Sequence, residues 1–309
     1  MERIDVSDWT VVAEEAMGAD PKVWITPDIG SASPGTPEVA WLFKSVKTGK
    51  HHDGRTYRRH DDVAEAVVHE IAKLLRVPTA PVRLATRNGV PGIISRNVIR
   101  ADHTIRSGDL VLLGIEGYVS CAGERRTTAR PGHTLLNIAA VMDGLRGPPG
   151  TGCNSWSAFD VFSGYLLLDA LCANNDRHAE NWAIEIPPLG DALQPDRLAA
   201  SFDHGSSLAS AIEDSNCEKK LADINKFCNG GMAKRFEDRK QSLVGLWHDS
   251  IPLSGQAALC WPEKLEALDM GKVADICHDI DAVSDARATL MTAIVEENRR
   301  RILQCALPN

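Results

Sequence analysis

The sequence predicts an α+β fold in two lobes: a small strand-rich N-lobe with one main helix, and a larger, mostly helical C-lobe. Three observations predict it. Runs rich in Val, Trp, Ile and Phe, the residues that suit a pleated surface, crowd the N-terminal third. A single helical stripe interrupts them. From about residue 134 onward helical periodicity takes over. The expected division is 1–98 for the N-lobe and 99–309 for the C-lobe.

In order, 23–26 and 39–46 read as strands, separated by a turn-rich loop from Pro27 to Thr36. Asp61 or Asp62 then caps a helix whose apolar stripe is Val63, Val67, Ile71, Leu74 and Leu75. Short strands follow at 81–85 and 92–96. Residues 134–145 read as a helix. Ser157 starts another, and the run from Phe159 to Leu168 is apolar on most sides, so that helix is expected to be buried. A hairpin is expected at 182–203, and helices fill the remainder, ending in one from Asp285 to Ile302.

Composition narrows the function. The chain has 309 residues, is 43% hydrophobic and 25% charged, and carries a formal charge of -8. That balance suits a soluble chain with a large core and argues against bulk binding to nucleic acid or a membrane surface. No apolar run approaches the roughly 18 residues of a membrane span, and no signal-peptide pattern opens the chain, so a cytoplasmic location is expected. The eight cysteines have no CxxC or zinc-type spacing and read as reduced thiols.

The chemistry lies in two strings. Residues 172–182 supply Asp176 and Asn181; residues 202–205 supply Asp203 before a glycine. An acid that orients a hydroxyl, with an amide and a carboxylate able to hold magnesium, suits phosphoryl transfer, which is mostly positioning and charge neutralisation. Such a site also needs a loop over the phosphates, for which the stretch Gly30 to Gly35 can serve, and a cation, for which Lys44 is well placed. A lysine there needs a carboxylate. Glu65 and Glu70 are both on the helix, but at about 100° per residue they point in different directions, so only one faces Lys44. His178 and Arg177 read as scaffold, a ring and a guanidinium that hold the loop by hydrogen bonds. The basic stretch 47–60 reads first as a solvated loop, with contact to phosphate or an acidic peptide as the alternative. Residues 147–155 imitate a P-loop, but Cys153 and Asn154 stand where Lys and Ser or Thr are required.

Asn175-Asp176-Arg177-His178-Ala179-Glu180-Asn181 followed by Phe202-Asp203-His204-Gly205 resembles the HipA-like branch of the protein-kinase-like fold. Trp41 to Lys44, the helix from Ala64 to Pro78, Gly92 to Arg96 and the closing Glu296 to Leu303 match it in order, over roughly residues 22–305. The resemblance implies a two-lobed kinase that uses ATP and Mg2+ to phosphorylate Ser or Thr on a protein substrate, often as a bacterial toxin opposed by an antitoxin. By position, Lys44 would hold ATP phosphates with Glu65 as its partner, and Asp176 would be catalytic. Asn181 and Asp203 would bind magnesium. Ser95, Arg96 and Asn97 fall at the adenine hinge. Gly30, Ser31 and His178 complete the expected nucleotide contacts, with self-phosphorylation of Ser31 or Ser33 as the implied off-switch. Lacking the N-terminal extension of longer relatives, the chain is expected to make no direct nucleic-acid contact. A small-molecule or phosphoinositide-type kinase, and a nucleotide-binding pseudokinase, are the alternatives.

Overall fold

The structure is a computed structural model that describes residues 1–14, 22–27, 40–51, 53–100, 102–120, 130–188, 194–280 and 283–306. Its N-terminal part is built on strands β1 (Ile4–Asp5), β2 (Thr10–Glu14), β3 (Lys22–Thr26), β4 (Trp41–Ser45), β5 (Thr48–Lys50) and β6 (Thr56–Arg58). Helix α1 (Asp61–Leu75) follows, then β7 (Val82–Arg87) and β8 (Val90–Arg96). Six of these strands form one sheet in the order β1-β7-β8-β4-β3-β2; β5 and β6 form a separate ribbon. All neighbours in the large sheet are antiparallel except β1 and β7. Asn88-Gly89, both at positive φ, close the β7–β8 hairpin with the tight turn that matches strand twist.

Two of these features place the site. Gly92 of β8 sits opposite Ser45 of β4, and a Cβ at 92 would lie 2.2 Å from the carbonyl oxygen of Lys44. Only glycine lets β4 run that close. Lys22 and Lys44 face each other across β3 and β4, so both ammonium groups leave the same face of the sheet.

Helix α1 is amphipathic as expected, with Val63, Val67, Ile71 and Leu75 fully buried. Two details differ from the sequence reading. Leu74 is exposed, because the stripe turns away at the last turn. The N-cap is His60, without a side-chain cap bond, and Asp61 and Asp62 lie in the first turn. Their carboxylates are taken by arginines instead: Asp62 by Arg3 at 2.6 Å and Arg58 at 2.8 Å, Asp61 by Arg59 at 2.7 Å. Acidic groups there still complement the helix dipole.

Beyond β8 come β9 (Thr104–Ser107), α2 (Gly108–Leu112), α3 (Leu135–Val141), α4 (Ala158–Cys172), β10 (Ala183–Ile186), β11 (Arg197–Leu198), α5 (Cys217–Leu221), α6 (Ile224–Asn229), α7 (Leu243–Ser250), α8 (Cys260–Glu266), α9 (Met270–His278) and α10 (Asp285–Ala306). Helix α4 is the centre. Ser157 caps it by accepting from the Asp160 amide at 3.1 Å, and every residue of the helix is buried. Gly164 leaves room for the ring of Trp261, whose indole N–H donates to the Asp160 carbonyl at 2.9 Å. Asn298 of α10 donates to the Leu171 carbonyl at 3.1 Å. One continuous apolar core joins α1 to these helices, while Val6, Ile25, Phe43, Ala85 and Ile94 make a smaller cluster. The expected hairpin is present as β10 paired antiparallel with β11; unforeseen β9 pairs with the other edge of β10. Among the described residues no helix is long and apolar enough to cross a membrane.

Candidate active site

Helix α4 ends in a left-handed turn at Ala173, φ 55°, a conformation a non-glycine residue adopts at some cost in strain. The chain then enters the loop that carries Asp176. Arg177, buried, fastens this loop to α4 through a two-pronged bond to Asp169, Nε to Oδ2 at 2.7 Å and Nη2 to Oδ1 at 2.8 Å. Its remaining Nη1 donates to the Asn181 carbonyl at 2.7 Å. Asn174 adds a bond from Nδ2 to Asp169 Oδ1 at 2.8 Å. Asn181 is buried and donates through Nδ2 to the Asp176 carbonyl at 2.8 Å, so Oδ1 is the acceptor it has left to offer. His178 does not line the cleft. Its Nδ1 accepts from the Glu180 amide at 3.2 Å, capping the single helical turn Ala179–Asn181, and burial lowers its pKa. This bond suits a ring that holds the loop.

Asp203 also has a left-handed backbone, φ 59°. Its Oδ1 is 3.0 Å from Lys44 Nζ, and Glu65 Oε1 is 3.2 Å from the same nitrogen. Burial works against the Lys44 charge, yet Asp203 and Glu65 together outweigh it and raise the ammonium's pKa. The Lys44 charge holds the Asp203 carboxyl well below its usual range despite burial, helped by Lys22. Glu65 is pushed up by burial, which its attraction to Lys44 only partly offsets. Glu70 pairs instead with Lys73 at 2.6 Å, away from the cleft. Gly205 follows the acid because the chain passes close to α1 there: a Cβ would come within 3.2 Å of Asp61 Cβ and Asp61 O. His204 is buried and neutral, its pKa held low first by burial and then by Arg177, with Nε2 bonded to Ser201 Oγ at 2.8 Å.

Lys44, Glu65, Asp176, Asp203 and Gly205 line one cleft, and Asn181 lies behind its wall, bonded to the Asp176 carbonyl. The polar part of the cleft is bounded by Lys22, Lys44, Lys47, Asp176, Asp203 and Ser206. Across Lys44 it continues into an apolar pocket of about 210 Å³, walled by Trp24, Leu42, Ile99, Ile105 and Phe202, with Ser95, Arg96 and Asn97 along one side. Lys47, read as part of a solvated loop, thus borders the cleft. Gly30, Ser31 and Ser33 lie outside the described residues.

Sequence reasoning missed three contributors. Lys22 was recoverable, since strand pairing with alternate facing puts it beside Lys44. Arg235 and Ser206 were not. Arg235 Nε is 2.5 Å from Asp176 Oδ1, and Ser206 donates to Oδ2 at 3.3 Å. Arg235 is held from behind: its carbonyl accepts from His133 Nδ1 at 2.6 Å, His133 Nε2 accepts from Trp182 Nε1 at 3.3 Å, and Phe236 stacks on the imidazole with centroids 4.5 Å apart. Both ring nitrogens are committed in the neutral form. Burial lowers the His133 pKa to about 4 from an ordinary 6.5.

That shift predicts acid sensitivity. Below about pH 6.5 the unfolded chain takes up a proton that the buried ring refuses until about pH 4, so stability falls across this window as pH drops. The His133 share of the loss should be about 3 kcal/mol between about pH 7 and pH 4. Urea unfolding of wild type and His133→Gln at the two pH values measures it. An equal acid loss in both proteins would exclude His133 as the source.

No family model matches the sequence, and no curated protein matches it either. Solved structures do match the fold. CtkA, a proinflammatory kinase of Helicobacter pylori, superposes with a TM-score of 0.68 over 99% of this chain and 97% of its own, at 15% identity. HipA of Shewanella oneidensis, solved with HipB and its operator DNA as a toxin–antitoxin system, superposes with a TM-score of 0.55 over 97% of this chain and 69% of its own, at 14% identity. The chain has the HipA-like protein-kinase-like fold.

Proposed function

We propose that this chain is an ATP-dependent phosphotransferase, requiring magnesium, whose acceptor is a Ser or Thr hydroxyl of a protein. The observation that carries the proposal is the shared ammonium of Lys44, held between Glu65 and Asp203 in the cleft that also contains Asp176. The donor set fits magnesium. Asn181 and Asp203 offer hard oxygen ligands, as a cation completed by phosphate oxygens and water requires. Among the described residues no cluster of three or more His, Cys, Asp or Glu could hold a metal by itself, and this chemistry needs none. When bound, ATP would supply the transferable phosphoryl group, with magnesium offsetting its charge.

The chain's own residues divide the work. The apolar pocket beside Ser95, Arg96 and Asn97 takes a flat base out of water, and Lys44, fixed by Glu65, meets phosphate charge. Asp176 orients the acceptor hydroxyl, a role supported by the Ser206 hydroxyl that donates to its Oδ2 at 3.3 Å. Arg235 on the other oxygen keeps the carboxylate aimed. A toxin role with an antitoxin partner is part of the same reading, supported by the fold shared with HipA.

Purified protein given labelled ATP and offered protein extract, lipids or sugars tests the proposal. Label should appear on protein Ser or Thr and vanish with Asp176→Asn. Label on lipid or sugar would replace the acceptor class; ATP binding without turnover in wild type would indicate a pseudokinase.

A further inference from the structure

One groove outside the cleft runs against the chain's overall charge. It encloses about 490 Å³ beside the catalytic loop, begins at Asn175, and is bordered by Lys219 and Lys220 of α5, Lys226 of α6 and Lys234. One carboxylate, Asp223, shares it and lies 4.0 Å from Lys226. Among the described residues the other three ammonium groups have no carboxylate partner within 4.0 Å. Lys220 lies over the ring of Phe227 at 6.0 Å, and Lys219 and Lys234 are exposed. In a chain of formal charge -8, three unpaired lysines converging on one concavity repel one another unless an anion joins them.

Position supplies the second part of the inference. Asn175 is the residue before Asp176 and lines the groove, so the groove adjoins the loop that carries Asp176. Lys234 is the residue before Arg235, which itself holds Asp176. The loop bearing both is braced: Ala233 N–H donates to the Gln241 carbonyl at 2.9 Å, and Glu237 N–H to the His133 carbonyl at 3.1 Å. The charges are therefore presented on a built surface next to the reacting carboxylate.

We infer that this groove docks an acidic segment of the acceptor protein, with carboxylate side chains near the phosphorylated hydroxyl engaging Lys219, Lys220 and Lys234. The inference rests on the kinase reading for the word acceptor, while the binding itself does not require turnover. Exposed ammonium groups contribute most through encounter and register, so the interaction weakens as salt rises.

The test uses the full chain and two fluorescein-labelled peptides, each with one serine, flanked by glutamates in one and by lysines in the other. Anisotropy should show binding of the glutamate peptide alone. Its Kd should rise by at least about tenfold in the triple variant Lys219→Glu, Lys220→Glu, Lys234→Glu. The corresponding triple arginine variant should keep the affinity, which separates charge from damage to the fold. Failure of the glutamate peptide to bind wild type, or equal affinity for wild type and charge-reversed protein, would overturn the inference. So would lysine-dependent binding of oligouridine that displaces the peptide, since the groove would then belong to RNA. Lysine-dependent peptide binding in a protein that never turns over ATP would leave the groove standing and remove the kinase reading; ATP turnover without peptide binding would do the reverse.

Discussion

Replacing Asp203 by alanine is expected to reduce phosphoryl transfer by roughly a hundredfold to ten-thousandfold while leaving the protein folded. The carboxylate is the group in the cleft whose ionised form is held most firmly, through Lys44 and then Lys22. It therefore presents a full negative charge at neutral pH, where a magnesium ion would sit. The structural cost of removing it is small, because Lys44 keeps Glu65 as partner at 3.2 Å and Asp203 itself is partly open to solvent. Alanine tolerates the left-handed backbone at 203 less well than aspartate, a minor further cost. Steady-state transfer rates at saturating ATP, set beside thermal melts, decide the matter. A rate within tenfold of wild type would mean Asp203 serves Lys44 only, and a melt that collapses together with the rate would make the residue structural.

The largest effect on stability is expected at Arg177 and Asp169. Both side chains are about 2% exposed, and their two-pronged contact is the clamp between α4 and the loop of Asp176. Removing one partner strands a buried charge. Arg177→Ala leaves Asp169 with only the Asn174 amide and leaves the Asn181 carbonyl without its donor, for an expected loss of about 3–5 kcal/mol. Arg177→Lys should recover little, since a point charge cannot serve two oxygens and a carbonyl in one plane. The double change Arg177→Met, Asp169→Leu should cost less than either single truncation, because no charge is left unpaired. Urea unfolding of wild type, Arg177→Ala, Arg177→Lys, Asp169→Ala and the double variant tests this. A loss below about 1 kcal/mol for Arg177→Ala would show that the clamp is not what holds the loop.

Much of this arrangement was legible beforehand, and the reasons are local. Helix α4 announced itself by Ser157 and a run apolar on most sides, because a cap and burial are written within a few residues. Helix rotation allowed only one of Glu65 and Glu70 to face Lys44, and the family resemblance pointed to Glu65: it reaches Lys44, and Glu70 pairs with Lys73 on the outside. What stayed hidden depends on chain closure. Arg235 meets Asp176 across 59 residues, and Trp182 meets His133 across 49, without any local pattern that pairs them. Strands β1 and β9 are only two and four residues long, too short for alternation to register. The two readings of Lys47, solvated charge or phosphate contact, could not be separated in a basic loop until the fold placed it at the cleft.

Gly92 shows that the tolerance of this site to substitution is not set by the residues facing it. Any side chain at 92 would collide with the backbone of Lys44 from behind and push β4 off its line. Lys44, Glu65, Asp176, Asn181 and Asp203 could all be retained in a chain that had lost their alignment. A comparison of related chains that scored only the polar residues would count such a protein as intact. The absence of a side chain at one buried strand position is therefore as diagnostic of a working cleft as the charges within it.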